Sequence, residues 1–65
     1  MKINLLKGRM LELNISVNEM CELLKITRTG WYRRLKNNTF SPNELKIVKE
    51  VLKFNPKEMD NIFLS

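Results

Sequence analysis

SVNEMCELLKITRTGWYRRLKNN, residues 16–38, contains two helix starts one short helix apart. Ser16-Val17-Asn18-Glu19 is a capping box: the Ser16 hydroxyl accepts the backbone N–H of Glu19, and the Glu19 carboxylate reaches back to the cap. Ile15 and Met20 stand where a hydrophobic staple would lie. Eleven residues later Thr27 opens a second helix, with Ile26 and Trp31 in the staple positions. Met20, Leu23 and Leu24 keep helical spacing in the first, and Trp31 and Leu35 lie one turn apart in the second. Only Lys25, Ile26 and Thr27 separate the two helices.

The same grammar extends outward. Ser41-Pro42-Asn43-Glu44 repeats the box with Phe40 and Leu45 as staple, and Pro42 sits at the first helical position, where its missing N–H costs nothing. Asn55-Pro56-Lys57-Glu58 repeats it with Phe54 and Met59. Leu6, Met10 and Leu13 form an apolar stripe near the N-terminus; Leu45, Val48 and Leu52 form another, with Ile47 and Val51 beside it. Helices are therefore predicted over residues 2–13, 17–24, 28–36, 42–53 and 56–63. Asn14 and Asn37-Asn38 suit the left-handed conformation that ends a helix. No segment alternates with a period of two, so an all-α, five-helix single domain over residues 1–65 is expected.

Charge is distributed unevenly over this frame. The chain of 65 residues carries net charge +5. Lys25, Arg28, Arg33, Arg34 and Lys36 supply all of it, since residues 23–43 hold no acid and the remainder sums to zero. An imbalance confined to one short stretch points to a polyanionic partner met by one face. Histidine is absent and Cys21 is the single cysteine, so neither an internal disulfide nor a metal site with nitrogen and sulfur ligands is expected. Cys21 reads as a small buried core residue. No phosphate-binding glycine loop and no nucleophile–base pair is visible, so an enzyme and a bound cofactor are not expected. No apolar run reaches the ~18 residues of a membrane span and no signal-peptide pattern opens the chain, which gives a cytoplasmic expectation.

One helix breaks the pattern of caps. The helices starting after Ser16, Ser41 and Asn55 carry Glu at the third position; the one starting after Thr27 carries Gly30. An acid there would repel phosphates, whereas bare N–H groups attract them.

From Leu6 to Leu64 the chain resembles the lambda-repressor-like, Cro-type DNA-binding domains of phage and bacterial regulators. Residues 23–37, LLKITRTGWYRRLKN, carry most of the resemblance and look most like small phage repressors. Cys21, Ile26, Trp31 and Leu35 fill the small, turn and anchor positions of that helix-turn-helix. The family often opens the first of these helices with Gln, where Val17 stands. It usually has Gly in the turn, where Lys25 stands; a left-handed non-glycine costs about 1 kcal/mol.

The resemblance implies a sequence-specific regulator that lays the helix 28–36 in the major groove of double-stranded DNA, with a homodimer on the operator as one arrangement. It assigns base reading to Arg28, Thr29 and Arg33, with Tyr32 beside them. Arginine suits a guanine edge, and the threonine methyl suits that of thymine. Lys36, Asn37, Asn38 and Thr39 are placed for phosphate contacts, as is Lys25 at the turn. Asn18 and Thr27, at helix N-termini, are further phosphate candidates. Arg34 has two readings, a phosphate contact or a surface ion pair. Trp31 reads as core, and the Tyr32 ring has the alternative of covering a helix junction. Ile62 reads as core, with Phe63 or Leu64 as a minority dimer contact. The alternative function is a modulator that uses the same fold to engage a protein such as a partner repressor or polymerase.

Overall fold

A computed structural model describes residues 1–64 and contains five helices: α1 (Ile3–Glu12), α2 (Val17–Leu24), α3 (Arg28–Asn37), α4 (Pro42–Val51) and α5 (Pro56–Phe63). No strand occurs among the described residues. The helices start where their caps place them. Ser16, Ser41 and Asn55 each accept the N–H of the third helical residue, and Glu19, Glu44 and Glu58 each return a bond to the cap N–H, completing all three boxes. Thr27 caps α3 through Oγ1, which accepts Gly30 N–H at 3.0 Å.

The helix ends share a second device. Asn14, Lys25, Asn38 and Lys53 have φ between 53° and 58°, in the left-handed region. After each, the next N–H turns back to a carbonyl five residues earlier: Ile15 to Met10, Ile26 to Cys21, Thr39 to Arg34 and Phe54 to Lys49, at 2.8–3.2 Å. This six-to-one bond is the Schellman closure, and it satisfies carbonyls that the helix leaves open. It also swings an apolar residue inward: Ile15, Ile26 and Phe54 all pack in or on the core. The reversal at Lys53 ends α4 two residues before the predicted boundary. At the other end, Lys2 N–H donates to Ile62 O at 2.9 Å, so α1 starts one residue late and is tied to α5.

The core gathers one stripe from every helix. Trp31, Leu6, Met20, Leu52, Ile62 and Val48 are the largest fully enclosed side chains, with Met10, Cys21, Leu24, Leu35, Phe54 and Phe63 around them. Trp31, Phe40 and Phe63 form an edge-to-face run, with ring centroids 5.6 and 5.7 Å apart. Trp31 and Cys21 are therefore core, as expected. Phe63 is core too, which removes it as a dimer contact; Leu64 remains exposed. No helix among the described residues is long and apolar enough to cross a membrane.

Arg9 locks one end of this assembly. Its guanidinium bonds Glu58 at 2.8 Å and donates to the Leu52 and Lys53 carbonyls at 2.9 and 3.2 Å. It also lies over the Phe54 ring, 4.7 Å from the centroid. The α4–α5 turn is thereby fastened to α1. Sequence reading missed this residue, although its spacing from Leu6 and Met10 on α1 sets it at the border of the core stripe.

Candidate nucleic-acid interface

Burial of Trp31 and Leu35 fixes the rotation of α3 about its axis. The remaining positions are then assigned by geometry. Arg28, Thr29, Tyr32, Arg33 and Lys36 all come out exposed, on a helix without a single acid. Lys25 and Thr27, just before α3, and Asn37 and Thr39, at and after its end, are exposed as well, and so is Asn18 in the first turn of α2. Among the described residues none of Lys25, Arg28, Arg33 and Lys36 forms an ion pair. These charges are uncompensated locally, so their field extends into solvent within the screening length of ~8–10 Å.

Besides Thr27, whose Oγ1 accepts the α3 cap bond, two residues of the expected set are engaged inside the molecule. Arg34 is the first. Its Nε donates to both Glu44 oxygens at 3.0 and 3.1 Å, and Nη1 donates to Gly30 O at 3.0 Å. Its side chain is 27% exposed and that of Glu44 only 15%, so water competes weakly for this pair. Of the two readings of Arg34, the ion pair is the one present. Asn38 is the second. Its side-chain amide donates to Phe63 O at 3.0 Å while its backbone turns left-handed to close α3. Asn38 thus fastens the end of α3 to the end of α5, and that amide is not turned to a phosphate.

The Glu44 carboxyl is pulled in opposite directions. Partial burial pushes its pKa up, but the Arg34 hydrogen bond, the Ser41 N–H and the Arg34 charge outweigh it and hold the carboxyl below its usual value. The same carboxylate completes the α4 capping box through Ser41 N–H at 2.9 Å. One acid therefore serves two helices.

This geometry supplies a structural reason for the missing acid at the start of α3. A Cβ on Gly30 would fall 2.8 Å from Arg34 Nη1 and 3.3 Å from Thr27 Oγ1. A side chain at that position would make the guanidinium shift from where it now sits against the Gly30 carbonyl. Gly30 clears the seat for Arg34, and Arg34 draws its acid from α4. Both partners are visible in the sequence ten residues apart, but the pairing needs the α3–α4 angle, which no local spacing encodes.

Alongside α3, Lys7, Leu11, Ile15, Val17 and Tyr32 border an open groove of about 300 Å³. Leu11 is 83% exposed on its rim, the most exposed large apolar side chain of the described residues. Comparison with protein-family models, with curated proteins and with solved structures gives no match for this chain.

Proposed function

We propose that the chain is a sequence-specific double-stranded DNA-binding regulator of the Cro type, with α2 and α3 as its helix-turn-helix. The observation that carries this reading is the exposed face of α3 with the turn before it: Arg28, Arg33 and Lys36 on the helix, interleaved with Thr29 and Tyr32, and Lys25 at the turn, none of the four in an ion pair among the described residues and no acid on the helix. A helix of that kind offers phosphate charge and base-edge hydrogen bonds together, and it fits the width of a major groove. In this reading Arg28, Thr29, Arg33 and Tyr32 meet bases. Lys25, Thr27, Lys36, Asn37 and Thr39 meet the backbone, and Asn18 joins them from the first turn of α2. Two copies on DNA would place their α3 helices about 34 Å apart.

A titration of duplex DNA at several salt concentrations tests it. Counterion release makes log affinity fall with log salt at ~0.9 per phosphate contacted, so this cationic face should give a steep line. Arg33→Ala should cost ~1–3 kcal/mol on a selected site and relax one base preference. A flat salt dependence, or no binding at low salt, would reject the reading. A second reading, engagement of a protein, draws on Leu11 and the groove beside Tyr32. Binding that survives high salt but needs Leu11 would favour it.

A further inference from the structure

We infer that Arg34 is a positioning residue: with Glu44 and Gly30 it sets the angle of α3 against α4, and so governs DNA affinity without touching DNA. This inference rests on the DNA-binding reading of α3.

Three observations converge on it. The guanidinium spans two helices, bonding Glu44 of α4 with Nε and the Gly30 carbonyl of its own helix with Nη1. Glu44 is itself held by the Ser41 cap, so the anchor on the α4 side is fixed independently of Arg34. Gly30 is the residue whose lack of a side chain leaves the guanidinium its place. Trp31 and Leu35 determine which face of α3 points inward, but apolar packing tolerates small rotations and slides. A directed, charge-assisted bond between two oxygens of one helix and a side chain of the other does not. Base reading needs side chains held to within roughly 0.5 Å, a precision that such a bond supplies from behind the reading face.

Charge provides the decisive test, because Glu44→Gln and Arg34→Gln change net charge in opposite directions. Electrostatics alone makes Glu44→Gln bind DNA more tightly, since an acid near the cationic face is lost and Arg34 is freed for a phosphate. Positioning makes both variants bind more weakly. Fluorescence anisotropy would be read at several salt concentrations, on two duplexes: one of mixed sequence, and one enriched by the wild-type chain from a randomised pool. Helical circular dichroism and thermal melting would confirm that each variant is folded at the assay temperature. On the enriched duplex, Glu44→Gln and Arg34→Gln are expected to lose about five- to thirtyfold, with the salt slope changed by much less than the ~0.9 of one phosphate contact. On the mixed duplex the loss should be smaller.

Arg34→Lys keeps the charge but cannot hold the Glu44 and Gly30 bonds at once, so it should also lose affinity at unchanged slope. It serves as the reporter if a glutamine variant does not fold. Wild-type affinity or better in Glu44→Gln, or a slope reduced by about one phosphate in Arg34→Gln, overturns the clamp and returns Arg34 to the DNA backbone. Absence of binding by the wild-type chain at the lowest salt overturns the DNA reading, and the clamp's role with it.

Discussion

Arg9 and Arg34 are built into opposite parts of the chain by the same rule and do different work. Each takes as its partner the glutamate of a capping box on another helix: Glu58 of α5 for Arg9, Glu44 of α4 for Arg34. The third box, at Glu19, has no such arginine among the described residues. A capping glutamate suits this use because its bond to the cap N–H already holds the carboxylate in place. The difference lies in what else each guanidinium touches. Arg9 satisfies the Leu52 and Lys53 carbonyls at the end of α4 and covers Phe54, so it seals core. Arg34 bonds only Glu44 and the Gly30 carbonyl of its own helix, so it fixes an angle. One arginine holds the fold together, and the other holds a face in place.

Removing each in turn tests that contrast, and here the largest effect is expected. Arg9→Ala leaves carbonyls and a carboxylate without their donor and uncovers an aromatic ring; losses of ~1.5–3 kcal/mol for charged hydrogen bonds, with cation–π contact added, give about 2–4 kcal/mol. Arg34→Ala removes one partly buried pair and the Gly30 carbonyl bond but uncovers no ring and no carbonyl of another helix, and should cost about 1–2 kcal/mol. Urea unfolding followed by circular dichroism measures both. Equal losses would erase the distinction between sealing and positioning.

Which parts of this arrangement are legible in sequence follows from how local each signal is. The caps at Ser16, Thr27, Ser41 and Asn55 are contained within four residues, and all of them form as read. The apolar stripes likewise place Trp31 and Leu35 inward and leave the α3 cations outside. The end of α4 was misplaced because Lys53 carries no left-handed signal of the kind that Asn14 and Asn38 carry. Arg34, Asn38 and Arg9 depend on partners in other helices, at sequence separations of 10, 25 and 49. Their partners are tertiary facts, and the sequence left Arg34 between a phosphate contact and an ion pair because nothing local names Glu44 as its partner.

The two glycines sharpen the comparison at a smaller scale. Gly8 and Gly30 both lie inside helices, where glycine costs ~0.5–1 kcal/mol against alanine. A Cβ on Gly8 meets nothing within 4 Å, so nothing among the described residues requires that glycine. Gly8→Ala should raise stability by about 0.5–1 kcal/mol in the same unfolding assay. Gly30→Ala makes the Arg34 guanidinium shift against its carbonyl, so its net gain should be smaller than that at Gly8. Combined with Arg34→Gln, it should recover the gain seen at Gly8, because no seat remains to be blocked. Additive effects in that double variant would show Gly30 to be independent of Arg34.

Acid provides the finest probe of the clamp. Glu44 holds its proton less tightly in the folded chain than in the unfolded one, because the Arg34 and Ser41 bonds outweigh the effect of burial. The folded state then binds fewer protons, so stability from this group is fully present above the usual carboxylate range. It is lost as pH falls through that range towards the lower folded value. Comparison with a variant that lacks the Glu44 carboxyl isolates this group. Between neutral pH and pH ~3, close to the ~4 of ordinary carboxyls, wild-type melting should fall further than that of Glu44→Gln, which has no carboxylate to protonate there. Parallel curves for the two proteins would mean that the Arg34–Glu44 bond contributes nothing in solution, leaving apolar packing alone to set the angle of α3.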